Sequence, residues 1–565
     1  MAGCGGSQRP PPEQSSAGLC GGVAQDGHRE VLDLDAPVDT SARFLDVTDL
    51  SGVAFTYRNG EEAGHFSIVE SLGGGIALFD YDSDGDLDLF IPGGGEYGTN
   101  RDMYGLKPAL YRNEGNWRFT EVTEESGLTV APYYSHGSAV VDYDNDGFPD
   151  LLITGYGGLL LYRNQGDGTF RETAEAVGLN DRLWSSTAAW GDVDRDGDPD
   201  LYVAHYADWS FDNHPFCKGP TPDQREVCPP RKFAPLPDVF YWNNGDGTFR
   251  DASREVGLRT DGKGLGVLIA DIDLDGAPDI YVCNDTTENF LYRNDGTGRF
   301  QEIGLISATS LNDAGTPDGS MGADLGDYNL DGLPDIWVAN FERESFGLYR
   351  NEGDCMFTHV SQSTGVTAVG GIYVGWGTVF FDFDRDGDED IFSSNGHVVR
   401  YPQNAPLRQT PLLLENHDGT RFVNVADAAG DYTDSPHMGR GVAVGDVDND
   451  GDLDLVISHI NEPVALLSNE SENSNQWIAL RLVGTQSSRD PVGAVVRMET
   501  TSGIQIRQVK GGTSYASSSD PRIFFGLKET DTILRLEIHW PSGFKQTLSG
   551  EPANRSLTMI EPSAE

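Results

Sequence analysis

Asp80-Tyr81-Asp82-Ser83-Asp84-Gly85-Asp86-Leu87-Asp88 sets a carboxylate at positions 1, 3, 5 and 9 of a nine-residue loop, with glycine at position 6. Alternate side chains of a turning backbone converge on one point, glycine admits the positive φ of a sharp turn, and position 7 can offer its carbonyl. Such a cage takes a hard cation. Calcium is the expected ion, up to seven per chain, because it accepts many oxygen ligands in loose geometry where magnesium requires a strict octahedron. The loop recurs as Asp142, Asp144, Asp146, Asp150, then Asp192, Asp194, Asp196, Asp200, and Asp271, Asp273, Asp275, Asp279. The last three copies are Asp327, Asn329, Asp331, Asp335, then Asp382, Asp384, Asp386, Asp390, and Asp446, Asp448, Asp450, Asp454. Asn329 can still coordinate through its amide oxygen. Solvated acidic turns are the plainer reading, but carboxylates a few ångströms apart repel by roughly 1–4 kcal/mol per pair, which a counter-ion removes. EF-hands are excluded: position 12 is Ile91 in the first copy and Ile153 in the second, inside apolar β-rich runs.

The elements that position these loops follow from a second repeated signature. Leu110-Tyr-Arg-Asn113 leads through a Gly turn to Phe119, and returns at Leu161–Asn164, Phe240–Asn243, Leu291–Asn294, Leu348–Asn351, Leu413–Asn416 and Leu466–Asn469. This reads as a strand, an Asn/Gly turn and a second strand opening on Phe. With one strand before and one after each Asp loop, every unit has four strands. The first aspartates are 62, 50, 79, 56, 55 and 64 residues apart, the long period of propeller blades. The expected fold is all-β: a seven-bladed β-propeller over residues 41–470 with a small C-terminal β-domain. The seventh unit stops at Asn469 without its last strand, and Phe44-Leu-Asp-Val-Thr-Asp-Leu-Ser-Gly52 matches Phe119-Thr-Glu-Val-Thr-Glu-Glu-Ser-Gly127. The N-terminal segment 44–52 is therefore expected to close the last blade and remove an open sheet edge.

Residues 475–550 alternate apolar and polar positions, as in Ile533-Leu-Arg-Leu-Glu-Ile-His-Trp540, and are expected to form the small β-domain, with 551–565 a tail. Residues 1–40, rich in Gly, Pro and Ser, read as a disordered tether. Met1-Ala-Gly-Cys4-Gly-Gly is similar to the end of a bacterial lipoprotein signal, which would make Cys4 a lipid anchor and place the start codon upstream. No run of about 18 apolar residues occurs, so no transmembrane span is expected. Cys217 and Cys228 are expected to form a disulfide within a Pro-rich segment, Cys283 to be a core thiol, and Cys355 has no assigned role. A formal charge of −51 over 565 residues argues against nucleic acid or an anionic membrane as partner. Open calcium loops suit an extracellular or cell-envelope setting (secreted, periplasmic or lipid-anchored) better than a cytosol.

The Asp loops with Gly-rich lead-ins such as Gly73-Gly-Gly-Ile-Ala-Leu-Phe-Asp80 resemble the FG-GAP/VCBS repeats of integrin α-like propellers over residues 44–469. Residues 475–550 resemble the ASPIC/UnbV domain of the cartilage acidic protein family and of many bacterial proteins. The residues that carry this likeness are Val492–Arg497, Gly511-Gly-Thr-Ser-Tyr-Ala-Ser-Ser-Ser-Asp520-Pro-Arg522, Phe525–Leu527 and Ile538–Gly543. Ser488 departs from the Asn often found there. In propellers of this kind the Asp loops lie on the lower face. That places insertions at about 92–107, 205–238 and 396–410 together on the upper face, where loops on a rigid scaffold usually carry function.

Trp184, His205, Trp209, His214, His136, His437 and Arg440 are the expected ligand-face residues, against the plainer reading that they pack an inner rim. The leading functional reading is an adhesion or interaction module for a protein or glycan ligand, with structural calcium. An enzyme acting on polysaccharide or another extracellular substrate is the second class, but the chain has no Gly-x-Ser-x-Gly, His-Glu-x-x-His or Cys-x-x-Cys-His motif, and no catalytic residue is assigned. The third is a periplasmic scaffold that docks a partner through its C-terminal domain.

Overall fold

The computed structural model describes residues 40–563. The expected tether, apart from Thr40, and the Cys4 anchor lie outside the described residues. Within them, seven four-stranded antiparallel sheets repeat one plan. In the first, Ala77–Phe79, Asp88–Ile91, Ala109–Asn113 and Phe119–Glu121 lie side by side in chain order, and the Asp loop joins the first two. The innermost strands are buried throughout in Ser185–Gly191 and Gly264–Ala270, where Gly, Ala and Ser let neighbours approach. Each innermost strand packs on the next, from Ala77–Phe79 through Tyr134–Val141, Ser185–Gly191, Gly264–Ala270, Ala323–Gly326, Gly375–Phe381 and Gly439–Gly445, and the last meets the first. The sheets thus form a closed β-propeller. Larger side chains fill the space between sheets, as Tyr143, Trp190, Leu201 and Phe249 do between the second and third.

The seventh sheet takes its outer strand from Phe44–Asp46, which pairs antiparallel with Ala465–Asn469. Phe44 stands opposite Asn469 as Phe119 stands opposite Asn113 and Phe170 opposite Asn164. The two ends of the ring are therefore held by one sheet, and pulling them apart requires breaking its ladder.

The C-terminal domain has two main sheets and a short pairing of Thr532–Ile533 with Glu551–Pro552. Trp477–Val483 lies between Ile523–Gly526 and Arg555–Ile560, and Val495–Glu499 lies between Ile504–Gln508 and Arg535–His539, with Lys545–Leu548 beyond. Leu480, Val496, Phe525, Ile538, Trp540 and Met559 share its core. The tail expected over 551–565 is corrected: Arg555–Ile560 is a strand parallel to Trp477–Val483. Glu561 is buried behind it, and its carboxylate accepts the N–H groups of Thr485, Gln486 and Ser487 at 2.8–2.9 Å. Only Leu557 and Met559 alternate on its inner face, too short a pattern to mark that strand.

A loop of this domain enters the axial channel. Gly511 pairs with Ile269, Ser514 N donates to Ala323 O (2.8 Å), Ser518 N to Ile76 O (2.8 Å) and Asp520 N to Val444 O (3.0 Å). Ser138 N donates to Ala516 O (3.0 Å) and Thr378 N to Ser514 Oγ (3.1 Å), so the loop is bonded to six of the seven inner strands. Tyr515 at its tip is fully buried, accepts from Gly73 N (3.1 Å) and meets Trp376 edge-on at 4.8 Å. Space is tight: a Cβ on Gly75 would stand 2.0 Å from Ala516 O. Tyr515→Ala leaves a cavity at the axis and is expected to cost about 3–5 kcal/mol, read as a lower urea midpoint; an unchanged midpoint contradicts a packed plug.

Candidate metal centres and the opposite face

The Asp loops are wired alike. Asp80 accepts the N–H of Asp84 on Oδ1 and of Gly85 on Oδ2, both at 3.0 Å, and Asp88 accepts Tyr81 N–H (3.0 Å) and Asn113 N–H (2.8 Å). The same bonds form at Asp142 and Asp150, at Asp192 and Asp200, and at Asp446 and Asp454. The position-6 glycines have left-handed φ, from +86° at Gly332 to +103° at Gly147. Position 4 is left-handed too, at Ser83 (+62°), Arg195 (+61°) and Leu274 (+60°), which residue types so varied could not reveal.

This wiring leaves one inward oxygen of several position-3 carboxylates without a donor. Asp82, Asp144, Asp194 and Asp448 each have a buried Oδ1 without a donor. Ligand oxygens of Asp80, Asp82 and Asp88 lie within 4.8 Å of one another, as do those of Asp142, Asp144 and Asp146, and of Asp192, Asp194 and Asp196. Burial pushes the Asp88 carboxyl up to about 8 and those of Asp142, Asp192, Asp271, Asp327 and Asp446 up to about 7. Buried acceptors with no donor, grouped around one point, fit a hard dication. Two loops are partly served by arginine: Arg163 reaches Asp144 (2.5 Å) and Asp146 (2.9 Å), and Arg293 reaches Asp273 (2.6 Å). In the fifth copy Asn329 donates to Asp331 Oδ2 at 2.8 Å. Cys355, fully buried, stands with Asp273 and Asp279, while Cys283 is a core thiol as expected.

The asparagine that ends each third strand has a role its recurrence alone did not show. Asn164 Nδ2 donates to Pro149 O in its own loop (3.2 Å) and to Tyr81 O, position 2 of the preceding loop (2.8 Å). Asn113, Asn243, Asn294, Asn351, Asn416 and Asn469 do the same to Val447, Tyr143, Val193, Ile272, Tyr328 and Phe383, all within 2.7–3.0 Å. One amide thus ties each acidic loop to the next around the whole ring.

The C-terminal domain sits on this loop face. Arg507 pairs with Glu389 (3.1 Å), Arg522 donates to Asp446 O (2.8 Å), Arg489 N to Asn145 Oδ1 (2.8 Å) and Asn475 Nδ2 to Asp384 O (2.8 Å). The surface a partner-docking C-terminal domain would offer is in part covered by the propeller.

On the opposite face the three insertions converge. The hairpin Gly95–Tyr97 with Met103–Gly105 comes from the first, and the short pair Cys217–Lys218 with Arg225–Glu226, closed by a Cys217–Cys228 disulfide, from the second. Glu226 accepts the N–H of Arg400 (2.8 Å) and Tyr401 (2.9 Å) from the third, and Tyr97 meets Phe211 at 5.8 Å. The expected ligand-face residues are mostly inside. His136, Trp184, His205, Trp209 and Arg440 are buried, Trp184 and Trp209 in one cluster with Tyr134, Tyr206, Trp376 and Tyr515. This corrects the surface assignment: the insertions roof the channel, so aromatic residues beneath them pack rather than project.

Nor do the histidines share a centre. His136 accepts from Trp184 Nε1 (2.8 Å), and burial lowers its pKa to about 3. His205 contacts Asp181 (2.7 Å); burial opposes its charge but that carboxylate raises its pKa. Half-buried His214 accepts from Trp209 Nε1 (2.9 Å), and His437 stacks on Tyr432 at 4.1 Å. The insertion aromatics that do project are Phe216, 63% exposed, Tyr104 and Tyr401.

The profile of FG-GAP-like repeats matches residues 80–153, 142–203, 236–282, 271–338 and 327–393, and that of the ASPIC and UnbV domain matches 484–565. Cartilage acidic protein 1 of Mus musculus is 24% identical over 527 residues, 87% of this chain and 74% of its own length. The Homo sapiens protein is 25% identical over 527 residues, covering 87% and 72%. Among solved structures, an Agrocybe aegerita lectin that recognises non-reducing terminal N-acetylglucosamine aligns with 70% of this chain and 95% of its own, at 16% identity and a TM-score of 0.37.

Two outcomes follow from the loop geometry. Without a cation, carboxyls whose native pKa is raised to about 7–8 make the native chain bind more protons than the unfolded one between about pH 4 and 8. Their stabilising effect is therefore present at the acid end and lost as pH rises through the native values. Chelated protein should melt higher at pH 6 than at pH 8, and the reverse order contradicts the wiring. Asn294→Ala strands Val193 O and Pro278 O together with the N–H groups of Gly296 and Gly298, and should lower stability by more than about 2 kcal/mol. The exposed neighbour change Asn244→Ala should stay within about 0.5 kcal/mol.

Proposed function

From the premise that the chain belongs to the proteins that join FG-GAP-like repeats to an ASPIC and UnbV domain, we propose that it is an extracellular or cell-envelope calcium-binding β-propeller serving as an interaction module for a protein or glycan. The observation that carries this reading is the division of labour between faces. Seven acidic cages lie on the face that the C-terminal domain covers, wired into the sheet ends, where a bound ion is structural. The other face carries the three insertions, which roof the channel, a disulfide and projecting aromatics. A disulfide suits an oxidising compartment, and the relatives' name, a cartilage protein, points the same way. With each site at 10–100 times its dissociation constant, calcium would add roughly 1.4–2.7 kcal/mol per site.

Immobilised protein probed with arrays of glycans and extracellular proteins is expected to capture a ligand in calcium and to lose it in chelator. The double change Phe216→Ala with Tyr401→Ala should weaken capture at least tenfold while the melting temperature stays within a degree or two. Capture that survives both treatments contradicts the assignment of that face.

A further inference from the structure

The fourth acidic loop differs from the other six. In those, the Oδ1 of the position-1 aspartate accepts the N–H of position 5, as at Asp80 from Asp84 and at Asp446 from Asp450. In the fourth, Asp275 N–H goes to Asp273 Oδ1 instead (3.2 Å), and Asp271 Oδ1, on a residue 3% exposed, is buried without a donor. Asp273 Oδ2 is buried as well. Arg293 Nη2 stands 2.6 Å from it but out of hydrogen-bond alignment, on a side chain 43% exposed that can turn to solvent.

A sulfur atom reaches this loop from the next sheet. Cys355 lies four residues after Asn351, a place taken by Gly168, Gly247 and Gly298 in the three preceding sheets and by Trp117 in the first. Trp117 shows where a side chain at that place goes: its Nε1 donates to Asp448, position 3 of the loop in the preceding sheet (2.9 Å). Cys355 has nearly the same left-handed φ, +54° against +58°, and it too meets position 3 of the preceding loop. Ligand atoms of Asp273, Asp279 and Cys355 lie within 4.8 Å of one another, and Asp273 belongs equally to the group it forms with Asp271 and Asp275. Cys355 and Asp279 are fully buried. Calcium takes oxygen ligands, whereas zinc is bound by Cys sulfur and Asp oxygen together, commonly four in all.

We propose that the fourth loop is a zinc site, with Cys355 Sγ and carboxylate oxygens of Asp271, Asp273 and Asp279 as ligands, and that zinc displaces calcium there and at no other loop. The metal–sulfur bond replaces the S–H bond, whose proton leaves to solvent. Zinc at this loop presupposes the preceding reading, that the loops hold dications.

Titration of the calcium-loaded full chain with Co²⁺, followed by the sulfur-to-cobalt charge-transfer absorption, tests it. One equivalent should develop the band, zinc should abolish it, and calcium in about a hundredfold excess should not. Elemental analysis after zinc and gel filtration should find one zinc gained and one calcium lost. Cys355→Ser should lose both the band and the zinc while holding as much calcium as the unaltered chain in calcium alone. Serine keeps a side chain on left-handed backbone, so Cys355→Gly, which installs the residue of the three preceding sheets, provides a second variant and should behave alike. No band, a band that either variant retains, or zinc removed by the calcium excess overturns the proposal. A full calcium count with no displacement by zinc sinks the zinc site alone, whereas a calcium count near zero sinks the preceding reading with it.

Discussion

A side-chain amide at the end of every third strand is the interaction on which the rest of the molecule depends. Its Nδ2 joins two carbonyls that belong to consecutive acidic loops, and its backbone N–H goes to the last aspartate of its own loop, as at Asn294 with Pro278, Val193 and Asp279. A loop that loses its shape therefore releases two sheets, not one. The order of the cages and the closure of the ring are one property, because seven such links in a cycle admit no gap and the last of them, at Asn469, is in the sheet that the N-terminal strand completes.

Electrostatics sets the condition under which that ring holds. A chain of net charge −51 gathers carboxylates at one face and buries several of them, which costs free energy until positive charge arrives. Part of it is built in: Arg507, Arg522 and Lys510, from the C-terminal domain, meet Glu389, the Asp446 carbonyl and Asp324. These contacts hold the domain whose loop fills the channel, so the plug and the cages stabilise each other. The loops' inward Oδ1 atoms, at Asp82, Asp144, Asp194 and Asp448, remain without a donor.

How much of this could be read in the chain follows from what each feature demands of residue type. Asp at positions 1, 3, 5 and 9 and Gly at 6 are dictated by ligand chemistry and by φ, so the loops stood out, and Phe44 opposite Asn469 was legible because the strand repeats a pattern seen elsewhere. The left-handed φ at position 4 is carried by side chains as different as Ser83, Arg195 and Leu274, so no residue type marked it. The amide links were visible as a repeated Asn but not as a contact, since the partner is a carbonyl 79 to 334 residues away in sequence. Trp184, His205, Trp209 and Arg440 were read as a surface because nothing in the sequence says that loop 511–520 rises beneath them and the insertions cover them. Their aromatic and cationic character reflects a crowded channel end, where Arg440 stacks on Trp376.

The central claim, that cations complete the acidic cages and thereby the ring, is tested most directly by counting metal and melting the same sample. Protein purified without chelator should carry about seven calcium ions per chain, and its melting temperature should collapse on adding EGTA and recover on adding calcium. A chain with few ions and an unchanged melting temperature would show that the cages hold their shape empty, and the structural role given to calcium here would be wrong.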